Sequence, residues 1–249
     1  VVSNASSHRR DIDVPILLPE INPDHTDIII TQRSRNNRKG FIVTNPNCTS
    51  TGMTISLKPL LDSFGIEKVI AVSMQALSGA GYPGVASMDI LDNVVPCIKG
   101  EEEKVEWEPL KMLGKMDRDS IQNADFVISA HTNRVAVSDG HTVCVSIKCG
   151  KDISPQDAIE AMNSYQCPEI SRELPSSPWP VICVRHEFDR PQPRLDRNTG
   201  NGMTTSVGRV RVDPILGLKY VVLSHNTIRG AAGGAIFNAE LLVQQKYIG

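Results

Sequence analysis

Cys48 is the side chain in this sequence whose surroundings most favour nucleophilic chemistry. It follows the short apolar run 41–44 and the turn Asn45-Pro46-Asn47, and helical spacing of apolar residues begins there. At a helix N-terminus, unpaired N–H groups and the helix dipole lower the pKa of a thiol and favour the thiolate. The same N–H groups could hold an oxyanion. The position predicts an activated cysteine, although most lone cysteines are inert small hydrophobic residues.

Other chemistry-bearing residues lie on either side of a second turn signal. His141 follows Ser138-Asp139-Gly140, and the charged run Glu101-Glu102-Glu103-Lys104 begins a helix-like segment. Residues three positions apart project from one face of a helix. Taken alone, these residues are more typical of a hydrogen-bonded histidine and a solvated helix face than of a site. They become candidate site residues only when the motifs in the rest of the sequence are considered with them.

The elements that must position these residues can be read from the apolar pattern. Alternating or continuous apolar runs predict strands at 41–44, 69–72, 133–137, 142–148, 180–185, 207–212 and 219–223. Helical spacing predicts helices that begin near residues 22, 48, 101, 155 and 230. Segment 78–84 is a glycine loop, and the basic run 33–39 is interpreted as a solvated surface loop.

The connections between these elements define the fold class. The turn at 138–140 predicts that strands 133–137 and 142–148 are joined directly, and 207–212 and 219–223 are expected to form a hairpin. Pro109 is expected to bend or end the regular part of helix 101–113. Strands and helices mix without strict βαβ alternation. The sequence therefore predicts an α+β domain, or a mixed-sheet α/β domain.

Composition excludes several classes of protein. The 249 residues are 40% hydrophobic and 22% charged, which is ordinary for a globular chain and unlike disorder. A net charge of −2 gives no electrostatic case for nucleic acid or anionic membrane, and no apolar run approaches the ~20 residues of a membrane span. Six cysteines without a CxxC pair argue against a disulfide framework and a zinc site. They favour a reducing compartment and predict a cytoplasmic protein without a metal.

Several motifs together resemble one enzyme family. The segments are Asn45-Pro46-Asn47-Cys48-Thr49-Ser50-Thr51-Gly52-Met53, the stretch 75–84 that contains the glycine loop, the charged run 100–104, the stretch 133–142 and the segment 226–234. They stand in the family's order and cover nearly the whole chain. The sequence resembles aspartate-β-semialdehyde dehydrogenase, in the branch shared by fungi and archaea.

The resemblance implies a reaction. The family reversibly reduces L-aspartyl-4-phosphate to L-aspartate 4-semialdehyde with NADPH and releases phosphate, on the pathway to threonine, methionine and, in some organisms, lysine. It implies that Cys48 forms a thioester with the acyl group, and that His141 matches the acid/base histidine. The resemblance also implies an oxidoreductase that acts as a homodimer or homotetramer on a small substrate and phosphate.

The resemblance also assigns residues to the charged groups of the substrate. Arg134 matches the arginine for the α-carboxylate, Glu101 the acid for the ammonium group, and Lys104 a lysine for phosphate. Glu102 could replace Glu101. The remaining matches are Gln75, which orients substrate, Asn47, which shapes the oxyanion pocket, and Asn4 and Arg9, which contact phosphate with Arg10 as the neighbouring alternative.

The sequence departs from the family at the cofactor. The family begins with a Rossmann-type domain and its glycine fingerprint, and no Gly-x-Gly-x-x-Gly follows a strand here. The chain is therefore expected to be a fragment, with 1–26 a remnant of that domain, 27–225 the catalytic and dimerisation domain, and 226–249 a helix returning to the nucleotide domain. Contacts to NADP(H) are expected from Asn226, Ser78, Gly79 and Gly81. Because most of the cofactor site is expected outside this chain, the fragment alone is predicted to be inactive in hydride transfer.

Three alternative functions remain open at this point. A sister reductase of acyl phosphates, of the N-acetylglutamyl-phosphate or glyceraldehyde-3-phosphate type, shares a Cys/His pair but lacks the arrangement of Glu101 and Lys104 for a free α-amino group. A cysteine peptidase could use Cys48 and His141 as a dyad, but segment 226–234 has no role in it. The fragment could also be a self-associating module without catalysis of its own.

Overall fold

Ten strands form one six-stranded sheet and two small sheets in the computed structural model, which describes residues 1–249. The strands are β1 (Val2–Ser3), β2 (Val43–Thr44), β3 (Ile66–Gln75), β4 (Lys115–Asp117), β5 (Ser120–Gln122), β6 (Val127–Arg134), β7 (His141–Cys149), β8 (Ile182–Arg185), β9 (Thr205–Asp213) and β10 (Gly217–Ser224).

Eight α-helices accompany the strands. They are α1 (Ile28–Asn36), α2 (Cys48–Phe64), α3 (Ser87–Ile90), α4 (Glu101–Met112), α5 (Pro155–Ser164), α6 (Glu169–Arg172), α7 (Pro193–Asp196) and α8 (Gly233–Gln244). A 3-10 turn, Pro23–Asp27, leads into α1, and a π-helical turn, Ile228–Ala232, leads into α8. None of these helices has the length and apolar character that a membrane crossing requires.

The six-stranded sheet is mixed, with the strand order β6-β3-β7-β10-β9-β8. Neighbours β3 and β6 run parallel, as do β8 and β9, and the other pairs are antiparallel. This mixed sheet confirms the predicted fold class. The hairpin of β9 and β10 is also confirmed.

The turn at 138–140 joins two strands directly, as predicted, but these strands do not pair with each other. Strands β6 and β7 follow each other in the chain across the turn at 138–140, but they are not neighbours, because β3 lies between them and pairs with both. Alternation of apolar residues shows that a segment is a strand, whereas strand order depends on packing between distant segments. The insertion of β3 brings the end of β3 and the start of β7 to the same part of the sheet.

Two local predictions need correction. Helix α1 continues to Asn36, so Arg33 and Arg35 lie in a helix and not in the predicted loop. Helix α4 continues past Pro109 to Met112, although proline removes one helical hydrogen bond. Pro109 and Met112 are buried, and the Leu113 N–H donates to the Pro109 carbonyl at 2.9 Å. Packing of the last turn therefore outweighs the local preference of proline.

The main core lies between the sheet and the helices on one of its faces. Helix α2 packs on β7, β9 and β10, α5 packs on β8 and β9, and α4 packs on β6. The two ends of the chain contribute to the same core through Ile16 and Leu18 and through Phe237 and Leu241. The predicted division of the chain at residues 26 and 226 stays a prediction.

Candidate active site

Cys48 is the first residue of α2, directly after β2 and the turn at 45–47, as the sequence predicted. Asn47 is the N-cap, and its side-chain oxygen accepts hydrogen bonds from the N–H groups of Thr49 at 2.9 Å and Ser50 at 3.2 Å. Such a cap satisfies donors that a helix otherwise leaves unpaired. These two N–H groups are therefore occupied by the cap in this structure, and the binding of an oxyanion at the helix start stays a prediction.

The π-helical turn before α8 lies against Cys48. A Cβ atom at Gly230 would be 2.8 Å from the Cβ of Cys48 and 3.0 Å from its Cα, closer than such atoms approach in proteins. Only glycine allows the two backbones to come this near. Turns of the π type occur frequently at functional sites. This turn closes one side of the thiol's surroundings.

His141 contacts the thiol directly. It is the first residue of β7, it is buried, and its Nε2 lies 3.2 Å from the Sγ of Cys48. Its Nδ1 accepts a hydrogen bond from the backbone N–H of Ala76 at 3.0 Å. Because a backbone N–H can only donate, the neutral ring carries its proton on Nε2, facing the sulfur. The structure thus pairs the two predicted residues and shows which nitrogen holds the proton.

The ionisation of this pair differs from the sequence-based expectation. Burial, followed by the nearby Glu101 carboxylate, raises the pKa of the Cys48 thiol to about 11, and these effects outweigh the N–H groups and Arg134 that lower it. Burial, followed by the positive charge of Arg134, lowers the pKa of His141 to about 3. At neutral pH the pair is therefore a thiol beside a neutral imidazole. The prediction of a thiol pKa lowered by the helix start is wrong here.

A polar cavity of about 310 Å³ opens above Cys48. It is lined by Asn4, Ser6, Arg9, Pro46, Asn47, Cys48, Ser78, Gly79, Gly81, Glu101, Lys104, Asn226, Thr227, Gly230 and Ala231. The first turn of α4 supplies both charges predicted from the run at 101–104. Glu101 accepts hydrogen bonds from the Lys104 Nζ at 2.8 Å and from the Asn47 side-chain amide at 2.7 Å. The cavity therefore presents both signs of charge near the sulfur.

The contacts of Glu102 show whether it or Glu101 faces the cavity. Glu102 accepts a hydrogen bond from the backbone N–H of Thr132 at 3.1 Å and does not line the cavity. Glu101 is therefore the acidic residue of this run that faces the site.

The contacts of Arg9 and Arg10 likewise show which of the two lies at the cavity. Arg9 is buried, lines the cavity together with Asn4, and donates to the Asn4 carbonyl at 2.8 Å. Arg10 points outward, pairs with the exposed Glu103 and stacks 4.5 Å from the ring centroid of Trp107. Of the two neighbours, Arg9 is the one at the site.

Arg134 and Gln75 lie beside the site but do not line the cavity. The guanidinium of Arg134 donates to the Ala76 carbonyl at 2.7 Å, and a Cβ at Gly79 would be 2.9 Å from both its Nη1 and the Cε1 of His141. Arg134 therefore stands next to His141 behind the glycine loop. Gln75 is buried, and its amide lies 3.4 Å from the Ser73 hydroxyl. The structure does not bring Gln75 to the cavity wall.

The sequence and the fold of this chain are similar to those of known proteins. The family model described as semialdehyde dehydrogenase, dimerisation domain, matches residues 57–229. The aspartate-semialdehyde dehydrogenase of Archaeoglobus fulgidus is 54% identical over 248 residues, which are 100% of this chain and 71% of the relative. The chain belongs to the aspartate-semialdehyde dehydrogenase family. This confirms the resemblance, and with it an oxidoreductase.

Two solved structures of the family show the same fold. The crystal structure of aspartate semialdehyde dehydrogenase with NADP from Candida albicans matches with a TM-score of 0.88 and 42% identity, over 100% of this chain and 72% of that one. Aspartate semialdehyde dehydrogenase II complexed with ASA from Vibrio cholerae matches with a TM-score of 0.78 and 27% identity, over 98% and 72%. The chain spans about seven tenths of the length of these relatives.

The glycine loop and Asn226 form one rim of the cavity. The Asn226 side chain donates to the Ser78 hydroxyl at 2.8 Å and accepts from the Gly140 N–H at 2.8 Å. Gly81 has a positive φ of 69°, and nothing lies within 4 Å of the place of its missing Cβ. The rim is thus fixed and sterically open, which fits the approach of a flat ring from a dinucleotide cofactor of this family.

Sequence reasoning missed some residues of the site. Ala76 supplies the N–H that fixes the His141 ring, and Ser6 and Thr227 line the cavity. Glu108 is buried and accepts the backbone N–H of Asn47 at 2.6 Å. Its position seven residues after Glu101 places it on the same face of α4, which is a signal that the sequence did contain.

Proposed function

We propose that this protein catalyses the reversible, phosphate-dependent interconversion of L-aspartyl-4-phosphate and L-aspartate 4-semialdehyde through a thioester on Cys48. The observation that carries the proposal is the Cys48–His141 pair, with 3.2 Å between Sγ and Nε2, of which Cys48 lines a cavity that also presents Glu101 and Lys104. Nucleophile, hydrogen-bond donor and charge partners for the substrate therefore surround one small volume.

The covalent step begins with attack of the Cys48 sulfur on the acyl carbon. The S–C bond forms, the C–O bond to phosphate breaks, and phosphate leaves with its bonding electron pair. We assign the thiol proton to the departing phosphate, because the Nε2 of His141 already carries a proton while its Nδ1 accepts from Ala76. That Nε2–H is placed to donate to the sulfur and to the oxygen that develops negative charge on the adjacent carbon.

Charged residues recognise the rest of the substrate. We assign the α-ammonium group to Glu101 and the phosphate to Lys104 and Arg9, all of which line the cavity. The α-carboxylate is assigned to Arg134, whose planar guanidinium suits a bidentate contact and which stands beside His141. Gln75 is assigned a role in orienting substrate only through the resemblance of its motif.

NADP(H) is the cofactor that fits this chemistry, as the relative from Candida albicans was solved with NADP. When bound, NADPH supplies a hydride to the thioester carbonyl carbon. Residues Ser78, Gly79, Gly81 and Asn226 would border its nicotinamide end. The Nε2–H of His141 is then placed to stabilise the oxygen on the Cys48 adduct as a hydrogen-bond donor.

A direct test uses the complete enzyme and three reagents. We expect NADP⁺ reduction with aspartate semialdehyde only when phosphate is present, since thioester formation without phosphate cannot turn over. Without phosphate, intact-mass spectrometry should detect one aspartyl adduct, and peptide mapping should place it on Cys48. Preference for an N-acetylated or glyceraldehyde substrate would favour a sister reductase, and peptide hydrolysis without NADP⁺ would favour a peptidase.

Replacing Arg134 with lysine should weaken recognition of the α-carboxylate. A lysine is a point charge and cannot reproduce the fork of a guanidinium. We expect KM for aspartate semialdehyde to rise about tenfold or more, with KM for phosphate nearly unchanged. Steady-state kinetics with each substrate varied will measure this, with Arg172→Lys on the short helix α6 as a matched control. Unchanged kinetics in the Arg134 variant would show that the assignment is wrong.

We also propose that the protein self-associates through the uncovered face of the six-stranded sheet. Val72, Cys144 and Val221 are register partners across three strands and point away from the helices, and each is exposed or half-exposed. Ile70, two residues before Val72, is 43% exposed. An apolar strip across neighbouring strands fits a second copy of the same sheet, and the matching family model is described as a dimerisation domain.

A charge on this strip should prevent the association. Ile70→Arg is expected to convert an oligomer into monomers, because an unpaired guanidinium would be buried in the interface. Sedimentation velocity will measure the assembly state. Ile30→Arg is the matched control, because Ile30 is an equally large exposed residue on α1. An Ile70 variant that assembles like the unmodified protein would contradict the assignment of this face.

A further inference from the structure

Four charged residues form one stripe along α4. Glu101, Lys104, Glu108 and Lys111 are separated by three, four and three positions, which places them on one face of a helix. The first two line the cavity. The last two are buried, although Glu and Lys are rarely buried without a specific partner, and the reaction as described does not use them.

Glu108 joins two parts of the site. One carboxylate oxygen lies 2.7 Å from the Nη1 of Arg9, and the other accepts the backbone N–H of Asn47 at 2.6 Å. Arg9 is the arginine assigned to phosphate, and Asn47 is the N-cap that precedes Cys48. The side chain of Glu108 has no exposed surface and that of Arg9 has 5%. A single buried carboxylate thus connects the phosphate arm to the start of the nucleophile helix.

Lys111 fixes the segment that carries Arg9. Its Nζ donates to the backbone carbonyls of Arg9, Asp11 and Val14, each at 2.8 Å. These three contacts use the three protons of an ammonium group. The segment 9–14 has no strand or α-helix of its own, so the lysine supplies the hydrogen bonds that regular structure would provide.

We propose that Glu108 is a positioning residue, supported by Lys111, that sets the Arg9 guanidinium at a fixed place relative to Cys48. The inference rests on the proposed function, since it concerns the phosphate that enters or leaves during acyl transfer. Glu108 does not line the cavity and acts through Arg9 and Asn47. Glu108 joins two groups in one rigid unit: the Arg9 guanidinium, which is assigned to the leaving phosphate, and the Asn47 backbone, which precedes the attacking sulfur. Fixed placement of these groups favours the reaction.

The chemistry of the two contacts requires a carboxylate. Both groups that face Glu108 are donors, and an ionised carboxylate accepts on both of its oxygens. A glutamine of nearly the same shape would present its amide N–H₂ to one of them, so a donor would meet a donor. The Nε of Arg9 is also buried without a partner in the protein, which fits an acceptor supplied by a bound anion.

The test compares Glu108→Gln with Glu103→Gln in the complete enzyme. Both changes remove one negative charge from α4, but Glu103 is 71% exposed and pairs with Arg10 outside the cavity. In Glu108→Gln we expect KM for phosphate to rise about tenfold or more and kcat to fall by a similar factor, with KM for the semialdehyde within about twofold. Glu103→Gln should match the unmodified enzyme.

A second comparison separates positioning from general destabilisation. If Glu108 acts on phosphate through Arg9, adding Glu108→Gln to Arg9→Lys should raise KM for phosphate little further, while the fall in kcat through Asn47 should persist. Protection of Cys48 from iodoacetamide by inorganic phosphate gives a readout without turnover, and it should weaken in Glu108→Gln. If that variant does not fold, Lys111→Gln should raise KM for phosphate in the same selective way.

The outcomes distinguish the inference from the proposed function. An unmodified enzyme without phosphate-dependent turnover would refute the proposed function. An active enzyme in which Glu108→Gln leaves both constants unchanged, or raises KM for both substrates equally, would refute the positioning role alone. Equal further loss of phosphate affinity in the Arg9→Lys background would also overturn it, because Glu108 would then act independently of Arg9.

Discussion

Cys48→Ser in the complete enzyme is expected to lower kcat by about four orders of magnitude or more while leaving the fold intact. A serine hydroxyl ionises far less readily than a thiol and is a poorer nucleophile towards an acyl phosphate. Ser fits the same position at the start of α2, because the Asn47 side chain and not the sulfur supplies the helix cap. Steady-state NADP⁺ reduction measures the loss, and thermal unfolding should change by only a few degrees.

The matched control is Cys97→Ser, because Cys97 is exposed in the loop between α3 and α4 and lies outside the cavity. It should retain the activity of the unmodified enzyme. The aspartyl adduct expected without phosphate should be found with Cys97→Ser and be missing with Cys48→Ser. Residual turnover above a few percent in Cys48→Ser would mean that acyl transfer does not pass through this sulfur.

The sequence predicted the fold class and which elements bear the site, but it did not predict their arrangement. Helical spacing after Cys48 and the alternation around residue 145 were local signals, and both elements exist as expected. The placement of β3 between β6 and β7 depends on pairing between segments far apart in the chain. That insertion decides which backbone N–H faces His141, so Ala76 could not be predicted from its neighbours in sequence.

The chemistry of the thiol shows the same limit of local reasoning. A helix start lowers the pKa of a thiol, and that effect is present at Cys48, but burial and the carboxylate of Glu101 act in the opposite direction and are larger. Both opposing effects come from residues brought together by the fold. The motif identified Cys48 as the candidate, whereas its protonation state follows from packing.

Glu108 and Lys111 were missed for a different reason. Their spacing from Glu101 and Lys104 is visible in the sequence and places all four on one face of α4. A charged helix face is usually solvated, so the pattern alone gave no reason to bury its second half. Their partners lie far from α4 in the sequence. Lys111 contacts the backbone of Arg9, 102 positions earlier, and Glu108 contacts the Arg9 side chain, 99 positions earlier, and the Asn47 backbone, 61 positions earlier.

Replacing His141 with asparagine is expected to reduce kcat by about 10²–10⁴-fold, with KM for aspartate semialdehyde nearly unchanged. Asparagine is too short to accept from the Ala76 N–H and also donate to the sulfur, which the imidazole spans from Nδ1 to Nε2. The developing oxyanion then loses its donor. The exposed His186 provides the control His186→Asn, which should retain full activity.

The pH dependence of this loss distinguishes two roles for the ring. Burial and Arg134 lower the pKa of His141 to about 3, so the ring is neutral throughout the working range and acts as an Nε2–H donor. Its charge changes only when the pH falls towards that value. The ratio of kcat between the unmodified enzyme and His141→Asn should therefore stay constant from about pH 6 to about pH 8.5. A ratio that rises as the pH falls through about 6.5, the ordinary pKa of histidine, would show that an imidazolium is the active form, and the donor role derived from the Ala76 contact would be wrong.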